Sequence, residues 1–196
     1  MNDPARERAR RAARRAAGAV PDPEIPCVTV EDLGILVDVE VEPAAARGGA
    51  PADGGEARGA ARKAARGAAW IATARVTPTY SGCPAVLEIE RAVGEALAAA
   101  GFEPRVERVS SPAWTTDRIT ARGRERLAAA GIAPPACAAP GTDGPVAITF
   151  FSRADPRCPR CGSHDTERLS EFGSTACKAH HRCRACREPF DHFKPL

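Results

Sequence analysis

From Val37 to Glu42 the chain alternates strictly. Val37, Val39 and Val41 are apolar; Asp38, Glu40 and Glu42 are acidic. That period of two predicts a strand with one buried face and one wet face. Trp70 to Thr77 alternates again, with Trp70, Ala72, Ala74 and Val76 on one side, and predicts the returning strand. The period then changes. Val86, Ile89, Val93 and Leu97 recur at helical spacing, Pro84 suits a first helical position, and Gly101 stops the run. A β-compatible RVERV (105–109) follows, then a loop, SSPAWTTD, carrying Trp114. The next helix, ITARGRERLAAAG, has Thr120 as cap and Gly131 as stop. The fold class predicted is α+β: a small three-stranded sheet with helices on one face.

Four segments follow from the pattern. Residues 1–17 are Arg/Ala-rich and read as a basic N-terminal helix or arm, solvated and fraying. Residues 18–133 form the α+β domain. Within it, 44–69 has no large apolar residue to anchor it and reads as a disordered insertion in a hairpin loop. Residues 134–157 are a linker, Pro/Gly-rich in its first half, with a candidate strand, VAITFF, at 146–151. Residues 158–196 form a separate cysteine-bearing module.

Composition narrows the classes. Hydrophobic content is 43 %, inflated by alanine, and aromatics are few, so the core is modest. No apolar run approaches the roughly 18 residues that cross a membrane. No apolar stretch follows the basic start, which argues against a signal peptide and for a cytoplasmic protein. A net charge of +3 is too small to argue for nucleic acid.

The eight cysteines change the picture, because five lie after residue 157. Cys158 and Cys161 form one CxxC; Cys183 and Cys186 form another after 21 intervening residues. Two such knuckles joined by a hairpin can set four sulfurs around a tetrahedral ion. A module below roughly 40 residues usually needs such an ion to fold. The donor set suits structural zinc or an iron–sulfur cluster, and sequence does not separate them. Cys177 is a fifth cysteine: a small core residue, an alternative ligand, or a reactive thiol. His164, His180 and His181 flank the knuckles and read as solvent-exposed.

TPTYSGCPAV (77–86) holds a second candidate. Cys83 precedes Pro84 where the helix is about to start, at or near its N-cap. Unpaired backbone N–H groups and the positive end of the dipole favour a thiolate there, hence nucleophilic or metal-binding chemistry. A small buried cap residue is the alternative. Asp22-Pro23-Glu24 reads as a capped turn.

With these motifs in view, DPEIP (22–26), EDLG (31–34), TYSGCP (79–84) and PAW (112–114) resemble the iron–sulfur assembly domain of SufT-like and cytosolic cluster-assembly proteins. The likeness covers residues 18–133. SEFGSTACKA (170–179), RCxxC and EPFDxFK (188–194) resemble the PaaD family, also called PaaJ, of accessory proteins of phenylacetyl-CoA epoxidase. The 44–69 insertion departs from that pattern, and neither Cys27 nor Cys137 is assigned a role.

The resemblance implies a role in aerobic phenylacetate catabolism. It is one of maturation, inserting iron–sulfur clusters or iron into the oxygenase or reductase components of the epoxidase, and not catalysis by this chain. It implies Cys83 as a transient ligand for iron or a cluster, Thr79 shaping the turn, and Trp114 walling the site. Asp22 and Glu24 line the same pocket or simply fix the turn. The C-terminal ribbon would then be a docking or cluster-holding module. A homodimer is compatible with the sequence.

Two other classes stay open. Ribbons often bind nucleic acid or protein, and HRCRACR (181–187) suits phosphate contact, but no aromatic stacking positions interleave with its arginines. A thiol oxidoreductase would place its CxxC at a thioredoxin-like βαβ start, and neither pair is so placed.

Overall fold

The computed structural model describes residues 3–44, 69–80, 83–135 and 155–195. The chain divides into two compact units, Met1–Pro78 with Pro84–Ala113, and Thr79–Cys83 with Trp114–Leu196.

The first unit runs α1 (Pro4–Gly18), β1 (Leu36–Pro43), β2 (Trp70–Val76), α2 (Val86–Ala99) and β3 (Glu103–Arg108). The sheet order is β1-β2-β3, with β1 antiparallel to β2 and β2 parallel to β3. The parallel pair requires a crossover, and α2 supplies it. The alternation read from the sequence decides the faces. Val39 and Val41 stand opposite Ala74 and Ala72 and are buried, with Ile89, Val93 and Leu97 of α2 and Ala13 and Ala17 of α1 also in the core. A Cβ at Gly94 would stand 3.7 Å from Val106 Cγ2, an ordinary contact, so the packing of α2 on β3 does not depend on this glycine. On the wet face Arg75 pairs with Asp38, Glu40 and Glu107, and Arg105 with Glu42. The α+β class is as the pattern predicts.

The N-terminal helix is not a fraying arm from Pro4 onward. Asp3 caps it by accepting from Ala5 N–H, and Ala13 and Ala17 are fully buried. Arg14 pairs with Glu31 at 2.8 Å, and Arg6 Nε donates to the Val41 carbonyl of β1. Alanine at every third or fourth position makes a small-residue stripe that packs closely although the helix is strongly basic overall.

The second unit holds a 3-10 turn (Thr116–Arg118), α3 (Ala121–Ala129), β4 (Ile132–Ala133), β5 (Thr166–Ser170), β6 (Lys178–Cys183) and β7 (Pro189–Phe193). Its sheet order is β4-β7-β6-β5. Thr120 caps α3 by accepting from Gly123 N–H, and Gly131 ends it at φ +79°. The division expected after residue 133 falls instead between Ala113 and Trp114. The cause is local. β4 pairs parallel with β7, Ile132 opposite Asp191 and Ala133 opposite His192. The Trp114 ring lies 5.9 Å from that of Phe193. Arg124 donates to the carbonyls of Thr116 and Pro135, tying both flanks of α3 together. A ribbon with few apolar residues thus recruits the preceding helix and strand. Most of the 44–69 insertion, VAITFF, Cys137 and most of the linker lie outside the described residues.

Candidate metal centre

Two tight turns build the site. In the first, Cys158 N–H donates to the Ser163 carbonyl and Gly162 N–H to the Cys158 carbonyl, with Gly162 at φ +75°. In the second, Cys183 ends β6, its N–H donates to the Glu188 carbonyl, and the Cys186 N–H points at Cys183 Sγ at 3.5 Å. Arg187 follows at φ +65°. Each knuckle therefore turns through a left-handed residue directly after its second cysteine.

The sulfurs of Cys158, Cys161, Cys183 and Cys186 all lie within 4.8 Å of one another. Cys158 Sγ is 3.8 Å from Cys186 Sγ, and Cys161 Sγ is 3.5 Å from Cys183 Sγ. A tetrahedron with zinc–sulfur bonds of about 2.3 Å has edges of about 3.8 Å. The donor set and spacing therefore fit one tetrahedral ion. Both short contacts cross between knuckles, whereas a redox CxxC would pair its own two sulfurs.

Electrostatics agree. Backbone N–H groups, Cys186's foremost, together with the neighbouring thiols lower Cys183 to about 7. The Glu188 N–H favours a Cys186 thiolate, but desolvation and the other three sulfurs outweigh it and push that thiol up to about 12. Without a cation the cluster resists collecting negative charge; a divalent ion reverses that balance. Ala133, Cys158, Cys183 and Phe190 form the small core behind it, with Cys186 against them.

Cys177 is not part of the four-sulfur group. It is buried at the entrance to β6, its Sγ 3.1 Å from Thr175 Oγ1. Of the three histidines, His164 is exposed as expected. His181 is the exception: only 3 % of its surface is accessible, it stacks on Phe190 at 5.7 Å, and its buried Nδ1 has no hydrogen-bond partner among the described residues. Alternation along β6 turns it inward with Ala179 and Cys183. Burial lowers its pKa. His180 Nδ1 lies 3.2 Å from Asp191 Oδ1.

Sequence reasoning missed Asp191. Its Oδ2 accepts from Ser174 Oγ at 2.9 Å and faces the buried Lys178 ammonium at 3.5 Å. Desolvation opposes its charge, yet Ser174, His180 and Lys178 together hold the carboxyl below its ordinary value. The available signal was an acid between two aromatics, Phe190 and Phe193, in a strand. Two of the three arginines of HRCRACR, Arg182 and Arg184, pair with Glu167.

The other candidate residues are divided. Cys83 sits near the helix N-cap and not at it. Ala85 occupies that position without a side-chain cap, and Cys83 lies two residues earlier, its N–H donating to the Tyr80 carbonyl at 3.0 Å. Thr79, Cys83 and Trp114 fall in the second unit; Asp22 and Glu24 fall in the first. Asp22 is buried and Oδ1 accepts from the N–H groups of Glu24 and Ile25 at 2.9 and 2.8 Å, the capped turn read from DPE. Glu24 is half-buried.

Comparison with known proteins agrees with this site. Residues 142–194 match the family model described as the PaaD zinc beta ribbon domain. A protein of Escherichia coli (strain K12), described as the D component of a "Putative 1,2-phenylacetyl-CoA epoxidase", is 42 % identical over 176 residues, covering 89 % of this chain and 86 % of that one. A crystal structure titled as a domain of unknown function, DUF59, from Bacillus anthracis is 23 % identical, with a TM-score of 0.46, covering 64 % of this chain and 97 % of that one. The identity to the Escherichia coli protein and its reach along both chains show that this chain belongs to the PaaD family of phenylacetyl-CoA epoxidase components.

Proposed function

We propose that the chain is an accessory protein of a phenylacetyl-CoA epoxidase system that delivers iron or iron–sulfur clusters to the oxygenase or reductase components. Membership of the PaaD family supports the system. The observation that carries the division of labour is the sulfur geometry: four cysteine sulfurs within 4.8 Å of one another would fill all four positions of one tetrahedral ion and leave it no open one. A closed cage suits structural zinc. A cluster of several irons and sulfides would need its cysteines spread further apart. Cargo must bind and leave, so it belongs elsewhere, and Cys83 is the candidate thiol, with Thr79 and Trp114 in the same unit. Asp22, held in its turn, acts as structure. Among the described residues no helix is long and apolar enough to cross a membrane.

The test uses a host lacking its own PaaD protein, complemented with wild type or Cys83→Ser. Epoxidase and reductase are purified and their iron, sulfide and turnover measured. The proposal expects under-loaded client protein with Cys83→Ser while the variant keeps its own ion. Fully loaded client would overturn it.

A further inference from the structure

The stretch SEFGSTACKA (170–179), which joins β5 to β6, is tied down along its length. Ser170 Oγ accepts from the Phe172 N–H at 3.2 Å. Gly173 N–H donates to the Lys178 carbonyl at 2.7 Å. A Cβ at Gly173 would stand 2.8 Å from Asp191 Oδ1, so a side chain there would push that carboxylate off its partners. Ser174 Oγ donates to Asp191, which also faces the buried Lys178 ammonium. Phe172 alone turns a large apolar side chain outward from this stretch, with 63 % of its surface accessible. Its ring is nonetheless held. Lys194 Nζ lies 4.4 Å from the ring centroid while donating to the Glu171 carbonyl at 3.2 Å, and Lys194 N–H donates to the Cys177 carbonyl. A single exposed apolar side chain is ordinary. One fixed by its backbone and by its ring has already given up the freedom that binding would otherwise cost.

A second exposed apolar residue lies on the same edge. β5 is the outer strand of its sheet. Arg168 stands opposite His181 and Ser170 opposite His180, so Leu169 between them occupies a β-bulge, half exposed. Bulges re-aim the side chains they carry. Arg168 pairs with Glu171, whereas Lys194 has no carboxylate partner among the described residues. A surface that covers Phe172 also draws the Lys194 ammonium out of water, and that demands a carboxylate. A second copy meeting this patch across a twofold axis would bring one Lys194 toward the other without a countercharge.

We propose that Phe172, with Leu169, is the anchor by which the ribbon docks on a client protein of the epoxidase system, in an apolar socket whose rim supplies a carboxylate to Lys194. The choice of client rests on the maturation reading of the chain, but the surface itself is measured by binding, without cargo.

The experiment titrates the full zinc-loaded chain against purified oxygenase component and, separately, purified reductase component. Wild type, Phe172→Ala, Lys194→Glu and Lys194→Arg are compared. Phe172→Ala should keep one zinc per chain and the unfolding midpoint of wild type, yet bind the client about thirtyfold more weakly, as loss of an aromatic anchor does. Lys194→Glu should weaken binding about tenfold, and Lys194→Arg, which keeps the charge, should bind as wild type does. Equal affinity in Phe172→Ala, or no binding of either component by wild type, overturns the proposal. So does a wild-type dimer that Phe172→Ala dissolves in sedimentation, because the patch then faces a second copy. A large loss of stability in isolated Phe172→Ala overturns it too, because the chain then covers its own ring. None of these results touches the cargo role of Cys83, whereas fully loaded client with Cys83→Ser would remove that role and leave the docking surface standing.

Discussion

Cys161 and Cys183 stand 3.5 Å apart although they come from different knuckles. With Cys158 and Cys186 at 3.8 Å, the four sulfurs interlock around one centre. Purified protein should therefore carry one ion per chain, without colour or acid-labile sulfide if the ion is zinc. Elemental analysis with an absorption spectrum checks it; sulfide in proportion to iron would refute the single-ion reading. Uptake must expel at least the Cys186 proton, whose thiol is raised to about 12. Affinity therefore falls as pH falls, and titration calorimetry in buffers of different ionisation heat should register the released proton.

Lys178 is buried, and Asp191 is its carboxylate partner at 3.5 Å. Asp191→Asn leaves that ammonium without its countercharge and loosens Ser174 and His180 with it. A cost of about 2–3 kcal/mol is expected in denaturant unfolding of zinc-loaded protein. The double variant Lys178→Met with Asp191→Leu should recover most of the loss, because it removes both charges at once. If the single variant matched wild type, the pair would contribute nothing to stability.

Among the described residues, the buried Nδ1 of His181 has no hydrogen-bond partner, while its ring stacks on Phe190. His181→Phe keeps the stack and removes the polar atom, so it should stabilise the zinc-loaded protein by about 1 kcal/mol at pH near 7.5. The pH dependence has a definite sign. Burial depresses the folded pKa below 6.5, so on acidification the unfolded chain takes the proton first. The stability of wild type tied to neutral His181 is present above 6.5 and is lost as pH falls through that value toward the folded one. The advantage of the variant should grow from pH about 7.5 to about 5.5. Zinc loss affects both proteins, so their difference isolates the histidine. An advantage that shrinks on acidification contradicts the assignment.

The strands were legible because Val37–Glu42 and Trp70–Thr77 each alternate over a whole strand length, and one sheet face is apolar as a result. The four cysteines were legible because their spacing already implies two knuckles. What the pattern hid were associations. Ala13 and Ala17 look unremarkable in an Arg-rich run, yet only small residues let α1 approach the sheet closely. β4 is two residues long and has no periodicity, so its pairing with β7, and with it the boundary at Trp114, could not be read locally. Pro84 suits a first helical position and so points to Cys83 at or near a helix cap; the helix begins at Val86, after a turn that contains Pro84, and Cys83 stands two residues before the cap residue Ala85.

The two knuckles offer a last comparison. Gly162 and Arg187 occupy equivalent positions, one after each second cysteine, and both have positive φ, +75° and +65°. Glycine adopts that conformation without penalty, whereas a residue with a Cβ is strained there by about 1–2 kcal/mol. Arg187 is thus held in an unfavourable backbone state by the turn that delivers Cys183 and Cys186. Arg187→Gly should relieve it. Part of the gain is cancelled because glycine gives the unfolded chain more freedom, leaving a net stabilisation of about 0.5–1 kcal/mol. Gly162→Ala should do the opposite and cost about 1 kcal/mol, with the added Cβ 3.3 Å from Arg157 Nη2. Denaturant unfolding of zinc-loaded protein measures both. A loss of stability in Arg187→Gly would mean that the Arg187 side chain contributes more than its backbone costs.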